Sequence, residues 1–126
     1  MSLWKLGCRT CYIAHMVFVL RAPADPRQIE SMLVAHGIAI KVAVDVEQGL
    51  LAGGGEFHAD CRNVLVDQSS MPEDVWGATW YVNGKICYDS LVNLKPRCGN
   101  TTTQVSCEPI RRKMGVLIRR FLENKP

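Results

Sequence analysis

The chain has 126 residues, 48% of them hydrophobic and 21% charged, with a formal net charge of +3. That size and balance describe one globular domain with a buried core, and exclude a collagen-like or low-complexity chain. The mild positive charge neither demands nor forbids an anionic partner.

No apolar run approaches the roughly 20 residues of a membrane helix, so no membrane association is expected. Lys5 and Arg9 ahead of the apolar stretch 12–20 imitate a secretory leader. His15 interrupts that stretch, however, and Arg21-Ala22-Pro23 follows where a small-residue cleavage site would stand. Among the six cysteines only Cys8 and Cys11 are closely spaced, and no second pair has zinc-ligand spacing. Reduced thiols and a cytoplasmic location are expected. Residues 1–15 carry no clear period and read as an N-terminal arm or upstream extension; 16–126 read as a single domain.

Residues 16–20 (M-V-F-V-L) form a continuous apolar run, the pattern of a buried strand. Asp25, Pro26 and Gln28 supply an N-cap, a first-turn proline and a capping box for a helix over 26–36, which Gly37 ends. Residues 38–46 alternate, with Ile40, Val42, Val44 and Val46 on one side. Gln48-Gly49 reads as a two-residue turn and 50–57 as the returning strand. That register sets Asp45 opposite Ala52, Val42 opposite Gly55 and Lys41 opposite Glu56. One face is then apolar, while Lys41, Asp45, Glu47, Gly54, Glu56 and His58 share the other.

A short helix near 59–66 follows. Asn83-Gly84 between β-rich runs predicts a type I′ hairpin of strands 74–82 and 85–94, pairing Trp80 with Cys87 and Ala78 with Asp89. Both hairpin faces are apolar, so helices or a partner chain should cover them. After a polar loop, a last helix over 108–123 carries Ile110, Met114, Leu117, Ile118, Phe121 and Leu122 as a stripe, with Arg111, Arg112, Lys113, Arg119 and Arg120 on the remainder. The sum is an α+β domain with a mainly antiparallel sheet of about five strands.

The text from Val44-Asp45-Val46-Glu47 through Gly53-Gly54-Gly55-Glu56-Phe57-His58-Ala59-Asp60-Cys61, then Asp74-Val75-Trp76-Gly77-Ala78-Thr79-Trp80-Tyr81 and Asn93-Leu94-Lys95-Pro96-Arg97, resembles a small bacterial, cyanobacterial-type family known only as a domain of unknown function. The resemblance covers about residues 16–123. It implies a cytoplasmic bacterial protein and supplies no activity or site residues.

Three readings of the chemistry compete. The leading one is a small-ligand-binding or protein-interaction domain that self-associates. Trp76, Trp80, Tyr81 and Tyr88 suggest an aromatic interface between copies, and Asp45, Gly54, Trp76, Trp80, Lys95 and Arg97 could line a ligand cleft. The second is a metal-assisted hydrolase using Glu56, His58 and Asp60. If Asp45, Glu56 and His58 share a strand face, they could hold a divalent cation, and Lys41 opposite Glu56 offers an ordinary ion pair instead. Cys61, in a helix first turn near His58, is the thiol variant of that reading; a buried hydrophobe is its simpler role. The third is nucleic-acid binding through the basic last helix, which no companion motif supports. No cofactor is called for beyond the divalent metal of the second reading.

Overall fold

The structure, a computed structural model, describes residues 16–126; the expected N-terminal arm 1–15 lies outside the described residues. Five strands, β1 (Phe18–Leu20), β2 (Ala39–Asp45), β3 (Leu50–Gly53), β4 (Val75–Tyr81) and β5 (Ile86–Cys87), form one antiparallel sheet in the order β1-β3-β2-β4-β5. Three helices cover it: α1 (Pro26–Leu33), α2 (His58–Asp67) and α3 (Glu108–Glu123). The expected α+β class and antiparallel sheet hold.

Strand alternation sorts the core into two layers. Ile40, Val42, Val44, Leu51, Trp76, Ala78 and Trp80 face α1 and α3, meeting Met32, Met114, Leu117, Ile118 and Phe121. Ala43, Leu50, Ala52 and Val75 face the other way, onto Cys61 and Leu65 of α2. The face read as polar is therefore a second core, sealed by α2.

α1 starts as its sequence dictates: Gln28 N–H donates to Asp25 Oδ1 at 2.8 Å and Asp25 N–H to Gln28 Oε1 at 3.0 Å. It ends at Leu33, three residues short of the expected 36. The apolar stripe of α3 is buried as patterned, with Ile110 at its margin.

Both hairpin registers differ from expectation. Asp45 pairs with Leu50 rather than Ala52, and Val42 with Gly53 rather than Gly55. The cause is the Asp45 side chain, whose Oδ1 accepts from the Glu47 and Gln48 amides at 2.9 Å each and folds 46–49 into a longer turn. A two-residue slip preserves the faces. In the second hairpin Trp80 pairs with Ile86 and Thr79 with Cys87, one residue off the expected pairing. Tyr81 accepts from Gly84 N–H and donates to Lys85 O, making a three-residue loop with Gly84 at φ +91. β5 is only Ile86–Cys87, because residues 88–105 fold back as a loop instead of continuing the strand to 94.

That loop is fixed by two buried asparagines. Asn93 Oδ1 accepts from Gly77 N–H at 2.7 Å, and its Nδ2 faces Gly77 O at 3.0 Å, Thr103 O at 3.1 Å and Tyr88 O at 3.3 Å. Asn100 Nδ2 reaches Asn93 O and Gln104 O at 2.8 Å and Thr102 O at 3.0 Å, while its Oδ1 accepts from Ser106 N–H at 2.9 Å. Gly77 permits the approach: a Cβ there would stand 2.6 Å from Val92 Cγ2 and 2.7 Å from Ser90 Oγ.

Candidate functional site

The structure disperses the cluster expected around Gly54. β3 stops at Gly53, and Gly54 turns the chain away at φ +103, where a Cβ would strike Met16 O at 2.7 Å and the Met32 side chain. α1 packs on this glycine, so it floors no cleft. Glu56 is exposed beyond the strand, and Lys41 faces Thr79 across the sheet, not Glu56. Asp45 is fully buried, and its Oδ2 is taken by Ser70 Oγ at 2.6 Å and Gln48 Nε2 at 2.9 Å. Asp60 caps α2, accepting from Phe57 N–H at 3.0 Å. Among the described residues no three His, Cys, Asp or Glu side chains stand where they could share a metal ion.

His58 opens α2 and reaches across the sheet; its Nε2 lies 3.0 Å from both Ala78 O and Thr79 Oγ1. Burial pushes its pKa below the usual imidazole value, the Lys41 charge adds to this, and the bond to Ala78 opposes it. The sign follows. The unfolded ring takes up a proton near pH 6.5, which the folded ring resists, so stability is full above that pH and falls below it. Urea midpoints should drop between pH 7 and pH 5, and the drop should be smaller in His58→Gln; equal drops would show that His58 is not responsible.

Cys61 is buried, with its thiol donating to Lys41 O at 3.4 Å. Burial pushes its pKa up to about 11, which removes the thiolate a nucleophile needs. Native alkylation with iodoacetamide at pH 8, followed by peptide mapping, should label exposed Cys98 and Cys107 and leave Cys61 unlabelled until urea is added.

The aromatic candidates also serve the monomer. Trp76 and Trp80 are buried in the layer facing α1 and α3. Trp80 Nε1–H donates to Glu123 Oε2 at 2.8 Å, a bond that holds the Glu123 carboxyl below its ordinary range.

Lys95 and Arg97, by contrast, do come together, and Arg62, which sequence reasoning missed, joins them. A cleft of 710 Å³ opens between the first turns of α2, the 3₁₀ turn Pro72–Asp74 and the segment 91–98. Arg62, Lys95 and Arg97 line it against a single acid, Glu73, with Leu91 and Leu94 as apolar walls. Lys95 Nζ donates to Pro72 O at 2.8 Å and sits 5.2 Å from the centre of the Trp76 ring. Burial, aided by the nearby Arg62 charge, pushes the Lys95 amine down. The segment is rigidly held: Lys95 and Asn100 exchange backbone hydrogen bonds of 2.8 and 3.0 Å, beside the Asn100 clamp. Among the described residues the one ion pair is Lys125 with Glu123 at 3.3 Å, so none of the cleft's three cations is bound to a carboxylate. The only sequence signal for Arg62 was its place one turn into a short helix.

The family model described as "Protein of unknown function (DUF5674)" matches residues 18–121. The chain belongs to this family. The match runs from β1 almost to the end of α3, and so takes in the DUF5674 sheet, the asparagine-clamped loop and the whole cleft. The description assigns no activity, so residue roles rest on geometry. No curated protein and no solved structure matches the chain.

Proposed function

We propose that the domain is a protein-interaction module whose cleft receives an acidic, partly apolar segment of a partner. The observation that carries this reading is the set of three cations, Arg62, Lys95 and Arg97, gathered in one open cleft without a carboxylate partner among the described residues. An excess of positive charge, three cations to one acid, in a partly desolvated cleft attracts and orients an acidic ligand. Leu91, 80% exposed, and Leu94, 48% exposed, supply apolar contact at the rim that a small anion alone would not cover.

The volume also falls in the ~300–1,000 Å³ range of small-ligand sites, which favours a small carboxylate as the second reading. No helix of the described residues is long and apolar enough to cross a membrane, and Cys61, Cys87, Cys98 and Cys107 are all unpaired. These free thiols support a reducing, cytoplasmic setting.

A fluorescein-labelled peptide of mixed Glu and Leu residues provides the test. Polarisation should show saturable binding that weakens with salt and falls at least tenfold in Arg62→Glu/Arg97→Glu. Full competition by free glutarate would favour the small-ligand reading. Unchanged affinity in the charge-reversed protein would defeat both.

A further inference from the structure

A second basic site lies on the other side of the sheet, on the outer face of α3. Arg111, Gly115 and Arg119 recur every four residues and so stack along one ridge of the helix. With Tyr88, Arg112 and Glu108 they line a pocket of 260 Å³. Gly115 is its floor. A Cβ there would stand 2.9 Å from the Tyr88 hydroxyl and 3.2 Å from Arg119 Nη1, so the phenol and one guanidinium converge on the space that the glycine leaves open.

Arg111 forms the wall. Its guanidinium lies over the Tyr88 ring, 5.2 Å from the centroid, and its Nε is buried without a hydrogen-bond partner among the described residues. A buried, unsatisfied N–H on a charged group is costly, and an acceptor oxygen that reached it through a small shift of the Arg111 side chain would relieve it. Three arginines line the pocket with the Glu108 side chain and the chain-terminal Pro126, and no ion pair within 4.0 Å neutralises any of the three among the described residues.

We infer that the Arg111–Gly115–Arg119 ridge, with the Tyr88 hydroxyl, is a binding site for a phosphate-type oxyanion. The fork of a guanidinium matches two oxygens of a tetrahedral anion, and a phenol O–H donates to a third. The pocket is too small for a drug-sized ligand, which takes roughly 300 Å³ or more. It suits a free phosphate or the terminal phosphate of a small ester. This site shares no residue with the Lys95 cleft, so either can fail without the other.

Arginine Nε–Hε resonances report on it directly. Titrating the protein with inorganic phosphate, and separately with glycerol 3-phosphate, should shift the Arg111 Nε–Hε peak saturably. Affinity should fall at least tenfold in Arg111→Lys and in Arg119→Gln, and binding should vanish in Gly115→Ala, with the backbone amide spectrum otherwise retained. Tighter binding of the ester would identify an esterified phosphate as the source, and equal binding the free ion. An Arg111 shift that acetate reproduces, or unchanged phosphate affinity in Arg111→Lys or Arg119→Gln read from the neighbouring backbone amides, would overturn the proposal. So would binding confined to an oligonucleotide and indifferent to Gly115→Ala, which would mark a nucleic-acid surface. If Gly115→Ala loses its fold, the two arginine variants decide.

Discussion

Asn93→Ala should destabilise the domain by about 3–5 kcal/mol, the largest loss expected from any polar truncation in it. The side chain is fully buried and has four backbone partners, Gly77 N–H and the carbonyls of Gly77, Tyr88 and Thr103. Its Nδ2 has two hydrogens to share among three carbonyls, so no other residue of its size replaces it. Each buried group left unmatched costs about 1–3 kcal/mol, and partial relaxation lowers the sum. Asn93→Asp should be no better, because it keeps the acceptor for Gly77 and sets a carboxylate against three carbonyl oxygens. Urea unfolding measures the loss; hydrogen exchange should show the amides of 88–105 opening first. A loss below about 1 kcal/mol would mean that the loop closes without this residue.

The second large effect is expected at Asp45. Alanine there strips the Glu47 and Gln48 amides of their acceptor and leaves the Ser70 hydroxyl without its 2.6 Å partner in a buried setting. A lost turn cap of this kind costs ~1 kcal/mol and an unmatched buried hydroxyl ~1–3, so about 3 kcal/mol is expected in all. Asp45→Asn keeps the Oδ1 acceptor, and the Ser70 and Gln48 side chains can reorient to accept from the new amide; its loss should be about half as large. Comparable losses in the two variants would show that charge, not cap geometry, sustains the turn. Neither variant should affect binding at the Lys95 cleft, because Asp45 does not line it.

Most of the frame was legible in the sequence. The Asp25–Gln28 capping box, the alternation in 39–45 and the stripe of α3 each act within a few residues and appear as read; the chain also reverses at Asn83-Gly84, but through a three-residue loop that shifts the pairing by one residue. What failed depended on side chains reaching across the fold. Asp45 reads as a polar strand residue; its bonds to the Glu47 and Gln48 amides, with the anchor to Ser70 twenty-five positions on, show it to be the hub of a turn. Asn93 reads as part of the strand 85–94 and Asn100 as an ordinary loop residue, yet they determine where β5 must end. Glu56 and His58 were placed on a strand because three glycines hid its end, and the end is set by Met32 of α1 packing on Gly54. The cleft was half visible: Lys95 and Arg97 are close in sequence, whereas Arg62 joins them only through α2.

The Gly77–Asn93 contact has a consequence for how this sheet meets other molecules. β5 pairs only with Thr79 and Trp80, which would leave the earlier part of β4 as a free border. At Gly77 both backbone groups are already claimed by one side-chain amide that imitates a neighbouring strand. An intruding strand would have to evict Asn93 before it could use that template. The asparagine thus acts as a guard against strand addition at this border of the sheet.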